Sequence, residues 1–238
     1  MNFKQTLKLM KKKIVVLTGA GISVESGIST FRDANGLWEN HDIMEVASIE
    51  GYHRNPSLVQ DFYNQRRRQL LEVEPNLAHH FLKDLENDFD VTIVTQNVDD
   101  LHERANSSKI IHLHGELRKA RSEYNETVVV DWNNDINIGD FAEDGYQLRP
   151  HIVWFGEMVP MMETAIDEVL QADILIVIGT SLQVYPAASL VDYTKESVPV
   201  IYVDPTELSS NPSIIQIQKK ATEAINDLKN ILSDYSVE

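Results

Sequence analysis

Two histidines one residue apart, His112-Leu113-His114, follow the apolar pair Ile110-Ile111 and run into Gly115. A neutral imidazole beside a glycine is a reasonable general base, and alternation along a strand would place both rings on one face. Metal binding by this pair is less attractive, because no third ligand has an obvious spacing. A second polar stretch, Gln96-Asn97-Val98-Asp99-Asp100-Leu101-His102, sets amides and carboxylates where they can bond ribose hydroxyls or a carboxamide. A third, Gly19-Ala20-Gly21-Ile22-Ser23, is the kind of turn that brings backbone close to a pyrophosphate at a helix N-terminus. It lacks the third glycine of the Rossmann spacing, with Val24 in that place, and many tight turns bind nothing, so the turn alone leaves its role open. Beyond it, Phe31-Arg32-Asp33 crowds an aromatic ring and a cation against the turn. Arg32 is suited to neutralising a pyrophosphate or orienting a leaving group, or to simple pairing with Asp33 on the surface.

These residues need elements to hold them. Ile14 to Leu17, Val91 to Val94 and Ile174 to Ile178 are short β-branched runs that read as buried parallel strands, with a fourth at Val198 to Val203. The first three enter polar or glycine-containing turns at Thr18-Gly19-Ala20-Gly21, Thr95-Gln96-Asn97 and Gly179-Thr180-Ser181. Helical patterns lie between, over Pro56 to Glu72, Asn76 to Glu86, Met161 to Gln171 and Ala187 to Lys195, and Lys219 to Leu232 closes with an amphipathic helix. Strands alternating with helices predict an α/β fold, a Rossmann-like doubly wound parallel sheet. Ligands bind such a sheet beyond the carboxyl ends of its strands, so the turns should share one cleft. Arg118 to Arg149 is polar and acidic, with a β-like Thr127 to Val130, and reads as a small inserted module. The large part is then about residues 1–117 and 150–238, and the insertion about 118–149. Asp33 to Tyr52 reads as a loop carrying a short helix.

The 238 residues carry 37 Asp and Glu against 21 Lys and Arg, a net charge of −16, which argues against a nucleic-acid partner and suits Lys-rich protein segments or plain solubility. There is no cysteine, so disulfides and thiolate metal sites are excluded. The apolar run at Ile14 is too short for a signal segment or a membrane span, and a cytoplasmic location is the default expectation. The sequence does not speak to oligomeric state, and a monomer is compatible with it.

Taken in order, the Gly19 to Ser23 turn through Phe31-Arg32-Asp33, then Thr95-Gln96-Asn97-Val98-Asp99, His112-Leu113-His114-Gly115, Val153-Trp154-Phe155-Gly156-Glu157 and Gly179-Thr180-Ser181 resemble the motif set of the sirtuin family, over about Ile14 to Leu232. The resemblance implies an NAD-dependent protein lysine deacylase that consumes NAD and acts on acylated proteins or peptides. On that basis the pyrophosphate lies on Gly19, Ala20, Gly21 and Ser181, with Asn97 and Asp99 at the nicotinamide end. Ser23, Phe31, Arg32, Gln96, Val98, Gly179, Thr180, Asp204 and Ala221 complete the NAD site. The acyl-lysine enters as a strand between Val153, Trp154, Phe155 and Gly156 and the Val184-Tyr185 loop. Its amide oxygen attacks the ribose carbon as nicotinamide leaves, and His114 and Asn97 are the catalytic pair, with His114 taking a ribose hydroxyl proton. Two features depart from the family. The small domain usually holds zinc on four cysteines, so here no zinc is expected, and the module is expected to pack around Val128, Val130, Trp132 and Tyr146. Tyr202 stands where an Asn often meets the adenosine ribose, which leaves Asp204 for that contact.

Sirtuins that prefer succinyl, malonyl or glutaryl lysine carry a Tyr and an Arg three residues apart, matched here by Tyr63 and Arg66, with Ala47 as the small residue that widens the pocket. Spacing of three puts phenol and guanidinium on one helix face, where they can bond a distal carboxylate. The plain alternative is a solvated basic turn, Arg66-Arg67-Arg68. The rival functions are an ADP-ribosyltransferase or NAD glycohydrolase, which needs no acyl tunnel, and a non-catalytic NAD or ADP-ribose binding module.

Overall fold

The structure, a computed structural model, describes residues 11–29, 37–38, 41–208 and 214–235. In chain order the strands are β1 (Lys13–Thr18), β2 (Leu37–Trp38), β3 (His41–Asp42), β4 (Asp90–Thr95), β5 (Ile110–His112), β6 (Gly115–Ser122), β7 (Val129–Asp131), β8 (Leu148–Ile152), β9 (Ile174–Ile178), β10 (Val200–Val203) and β11 (Ile214–Ile217). The helices are α1 (Ile43–Val46), α2 (Ile49–Arg54), α3 (Pro56–Leu70), α4 (Leu77–Leu85), α5 (Leu101–Arg104), α6 (Met162–Leu170) and α7 (Ile225–Ser233).

The β-branched runs become one parallel sheet in the order β11-β10-β9-β1-β4-β5. The side-chain period of two decides its faces. Ile14, Val16, Ile174, Ile176 and Ile178 point to one side, where α4 and α7 supply Phe81, Leu82, Leu228 and Leu232. Val15, Leu17, Leu175 and Val177 point to the other, against Ala165 and Val169 of α6 and Leu190. Helices on both faces bury β1 and β9 twice over, which is why Ile14 to Leu17 and Ile174 to Ile178 are apolar throughout. The fold is the expected doubly wound α/β architecture with an added antiparallel sheet.

Several expectations are corrected in detail. The segment after the glycine turn forms two 3-10 turns, Ala20–Ile22 and Val24–Ser26, and Ala187–Tyr193 is also a 3-10 helix. The terminal helix begins at Ile225, since Ala221 and Ala224 are drawn into the core ahead of it. The edge strand β11 was not anticipated, because Ile214-Ile215-Gln216-Ile217 is too short to show a period.

The inserted module is a sheet in the order β7-β6-β8, and its antiparallel pairing runs from Gly115 to Ile152, wider than the polar stretch suggested. Its small core is Ala120, Ile136 and Leu148 with Trp132 and Ala142 against them. Val130 and Tyr146, expected to pack inside, are exposed, and Tyr146 instead stacks on Tyr124 with ring centroids 4.4 Å apart. What holds the module is α3. Gln60 donates to the Leu148 carbonyl at 2.7 Å, Asn64 bonds both the N–H and C=O of Ile136 at 2.8 and 2.9 Å, and Arg67 donates to the Leu117 carbonyl at 2.9 Å. Spacings of four and three make these one buried stripe of the helix. Among the described residues no helix is long and apolar enough to cross a membrane.

Candidate active site

β1, β4 and β9 all end at the same rim, so the three polar turns converge. Gly19 and Gly21 lie backbone to backbone with Gly179. Gly21 N–H donates to the Gly179 carbonyl at 2.8 Å, and a Cβ on Gly21 would fall 2.6 Å from the Gly179 Cα. Gly179 itself has φ +66°, and a Cβ there would sit 2.3 Å from the Ile22 nitrogen. Only glycine fits such a contact. Gln96 Nε2 donates to Thr180 Oγ1 at 3.2 Å and ties the β4 turn to the β9 turn.

Inside the rim, Asn97 Nδ2 donates to Ser23 Oγ at 3.2 Å and Ser23 Oγ donates to Asp99 Oδ2 at 2.9 Å. All three are buried. Burial pushes the Asp99 carboxyl up to about 6, against the Ser23 hydroxyl and the Leu101 N–H, which favour its charge. It is therefore mainly ionised at neutral pH. His114 Nδ1 lies 2.9 Å from the Gln96 carbonyl. A carbonyl can only accept, so Nδ1 carries the proton and Nε2 keeps its lone pair. Burial also pushes this imidazole below its ordinary 6.5, outweighing the carbonyl bond, which acts the other way. The ring is thus a neutral base of fixed tautomer. His112 is close by but differently held, with Nδ1 3.2 Å from the Asn97 carbonyl and Nε2 2.6 Å from Glu103. β5 ends at His112, so both rings are aligned by consecutive carbonyls of the 96–97 segment and not by alternation along one strand.

The Trp-Phe-Gly-Glu segment leaves β8 beside this site. Val153 N–H donates to the His114 carbonyl at 2.9 Å, and Phe155 N–H to the Ala47 carbonyl at 2.9 Å. Glu157 folds back to accept from Trp154 N–H at 2.8 Å, Arg149 at 2.6 Å and Arg121 at 3.1 Å. Burial opposes its charge, yet Arg149, the Trp154 N–H and Arg121 hold its carboxyl below the usual value. The Arg149 guanidinium lies 3.4 Å from the Trp154 ring centroid, and Trp154 Nε1 donates to the Tyr63 hydroxyl at 3.0 Å. Tyr63 and Arg66 then line a cavity of about 50 Å³ shared with Ile28, Val98, Asp99 and Leu117. The cavity reaches from the α3 face to the buried carboxylate of the β4 turn. Val184 and Tyr185 stand exposed on the segment after Ser181. Tyr202 donates to the Thr180 carbonyl at 3.0 Å, and Asp204, buried at the end of β10, accepts from Thr206 N–H at 2.9 Å. Ser181 and Tyr202 share a polar recess with Thr206 and Glu207.

The Sir2 family profile matches residues 19–186, the span that contains all of these turns up to the Tyr185 segment. The chain belongs to the Sir2 family. An NAD-dependent protein deacylase of Helicobacter pylori is 58% identical over 219 residues, covering 91% of this chain and 96% of its own length. One from Bacteroides thetaiotaomicron is 52% identical over 229 residues, covering 93% and 98%. Among solved structures, a Sir2 homologue in complex with NAD matches with a TM-score of 0.84 at 37% identity, over 94% of this chain and 91% of that one. A Sir2 protein with a deacetylated peptide and 3'-O-acetyl ADP ribose matches with a TM-score of 0.77 at 29% identity, over 96% and 95%.

Of the residues picked out from the sequence of this sirtuin, Phe31 and Arg32 lie outside the described residues. Ala221 is buried in the core past β11, in one cluster with Ile217 and Ala224. Sequence reasoning missed Arg149 and the carboxylate role of Glu157, which together brace Trp154. The signal was present as an Arg and a Glu flanking the Trp-Phe motif, but nothing in the spacing says that two buried cations meet one carboxylate.

Proposed function

We propose that this NAD-dependent protein lysine deacylase removes acidic acyl groups of the succinyl and malonyl type, as well as acetyl, releasing free lysine. The observation that carries the reading is the cavity lined jointly by Tyr63, Arg66 and Asp99. The same space is lined by α3 through Tyr63 and Arg66 and by the β4 turn through Val98 and Asp99.

The donor set suits NAD. Ser23, Asn97 and Asp99 offer a buried hydroxyl, amide and carboxylate to a ribose and a carboxamide, while the close-packed glycine turns and Ser181 would take the pyrophosphate. Within the turn the N–H groups of Gly19, Gly21, Ile22 and Ser23 are used inside the protein. Its part in holding a phosphate is therefore steric closeness and the Ala20 amide. Asp204 would hold the adenosine ribose, and Ala221 would lie at the adenine end. NAD, consumed as cosubstrate, supplies the ribose carbon that loses nicotinamide and accepts the acyl oxygen. The chain's own residues do the rest. Asn97 and Asp99 hold the nicotinamide end in register, and the Val153 to Gly156 segment would pair with the substrate backbone opposite Val184 and Tyr185. His114 Nε2 takes the ribose hydroxyl proton, because its other nitrogen is pinned on Gln96.

Arg66→Met tests the acyl assignment. A charged hydrogen bond to a distal carboxylate is worth about 1.5–3 kcal/mol, so kcat/KM on a succinyl peptide should fall by roughly ten- to a hundredfold while the acetyl version of the same peptide stays within a few fold. Mass spectrometry of both peptides with NAD reads this directly, and equal loss on the two would end the acidic-acyl reading. Tyr63→Phe is the less clean probe, since its hydroxyl is also the acceptor for Trp154.

The pH profile follows from two groups. Asp99 must be ionised, with its carboxyl near 6, and His114 must be neutral, with its pKa below 6.5. Both requirements fail on acidification, so kcat/KM should be level at neutral pH and fall below about 6.5, approaching a two-proton slope. A midpoint well above 7 would show that another group controls the limb.

A further inference from the structure

Beside the NAD segment, and outside the machinery assigned above, three groups from three elements converge: Glu103 of α5, His112 at the end of β5 and Glu116 of β6. One ligand atom of each lies within 4.8 Å of the others. We propose that Glu103, His112 and Glu116 form a binding site for a borderline divalent cation such as Zn2+, distinct from the cysteine zinc absent from this chain.

The histidine carries the argument. Its Nδ1 lies 3.2 Å from the Asn97 carbonyl, which can only accept, so Nδ1 must be the donor, and Nε2 is turned to Glu103, with the ligand atoms of the three residues within 4.8 Å of one another. A carbonyl behind one ring nitrogen is the usual support for a metal-bound imidazole, fixing both tautomer and ring angle. Nε2 is already 2.6 Å from Glu103 Oε1 across a shared proton, so an ion entering between them releases that proton to solvent and needs only a small opening of the exposed Glu103 side chain. One imidazole with two carboxylates is a mixed nitrogen and oxygen set, which favours Zn2+, Cu2+ or Ni2+ over Mg2+ or Ca2+. Three protein ligands leave a position for water, and a partly exposed site of this kind binds far less tightly than four thiolates. One cation already competes: Lys119 Nζ lies 2.7 Å from Glu116 Oε2. Occupancy would also reach the active site, because the ring that binds the ion holds the Asn97 carbonyl.

The test uses untagged full-length protein dialysed against EDTA and titrated with ZnCl2 by calorimetry, with circular dichroism to check each variant's fold. One ion per chain should bind in the micromolar range. Glu116→Gln, which leaves the His112 and Glu103 pair intact, should weaken binding by at least about tenfold, and His112→Gln should weaken it further. Lys119→Gln should instead tighten it severalfold by removing the competing ammonium. If the parent binds no zinc, or if binding is indifferent to Glu116→Gln and His112→Gln, the site does not exist and the cluster is an ordinary ion pair. Looser binding in Lys119→Gln would also overturn it.

Discussion

His114→Ala will lower kcat/KM for any acylated peptide by about 10²–10⁴-fold, the usual contribution of a positioned general base, while the Kd for NAD changes little. The size follows from how the ring is held. Its Nδ1 is committed to the Gln96 carbonyl, burial keeps it neutral, and Nε2 is the atom left to take a proton. Pre-steady-state release of nicotinamide gives a second readout, since in the proposed order the base acts after the cosubstrate is seated. A variant that keeps more than a few per cent of parental turnover would remove His114 from this role.

Glu157→Gln is expected to cost about 3–5 kcal/mol of folding stability, because it leaves two buried cations without their shared carboxylate. The side chains of Arg149 and Arg121 are only 4% and 8% exposed and that of Glu157 is 17% exposed, so solvent does little to compensate. The contrast is the Arg68 to Asp135 pair, 53% and 39% exposed at 2.6 Å, where Asp135→Asn should cost no more than about 1 kcal/mol. Urea unfolding of the two variants settles the comparison, and a loss below 1 kcal/mol for Glu157→Gln would mean that the arginines find other partners.

The sheet was legible because β1, β4 and β9 are buried on both faces, and runs made mostly of β-branched residues declare that burial. The site was legible for a related reason. Backbone approach as close as that of Gly21 to Gly179 admits only glycine, and a polar residue directly after an apolar strand has the rim as its place. What the residues hid is how neighbours in sequence divide their work. Arg66, Arg67 and Arg68 read as one basic run, yet they take three directions. Arg66 lines the cavity beside Tyr63, Arg67 is fully buried on the Leu117 carbonyl with its pKa lowered to about 10 by burial, and Arg68 pairs with Asp135 at the surface. A helix turn of 100° per residue makes such a split ordinary, but which side of α3 meets the inserted module is decided by tertiary contact alone. The module's packing was misread for the opposite reason. Val130 and Tyr146 are apolar enough for a core, but a three-stranded sheet with helix on one side has an outer face that must carry something.

The clasp between α3 and the inserted sheet also changes what can damage this enzyme. Gln60, Asn64 and Arg67 grip main-chain atoms, so the lobe is anchored through parts of the chain that no oxidant, alkylating reagent or electrophile attacks. A lobe built on sulfur and metal is lost when its thiolates are oxidised. This one has no sulfur in its clasp, so peroxide that would disarm a zinc-held lobe should leave it in place, and heat becomes the stress to which it answers.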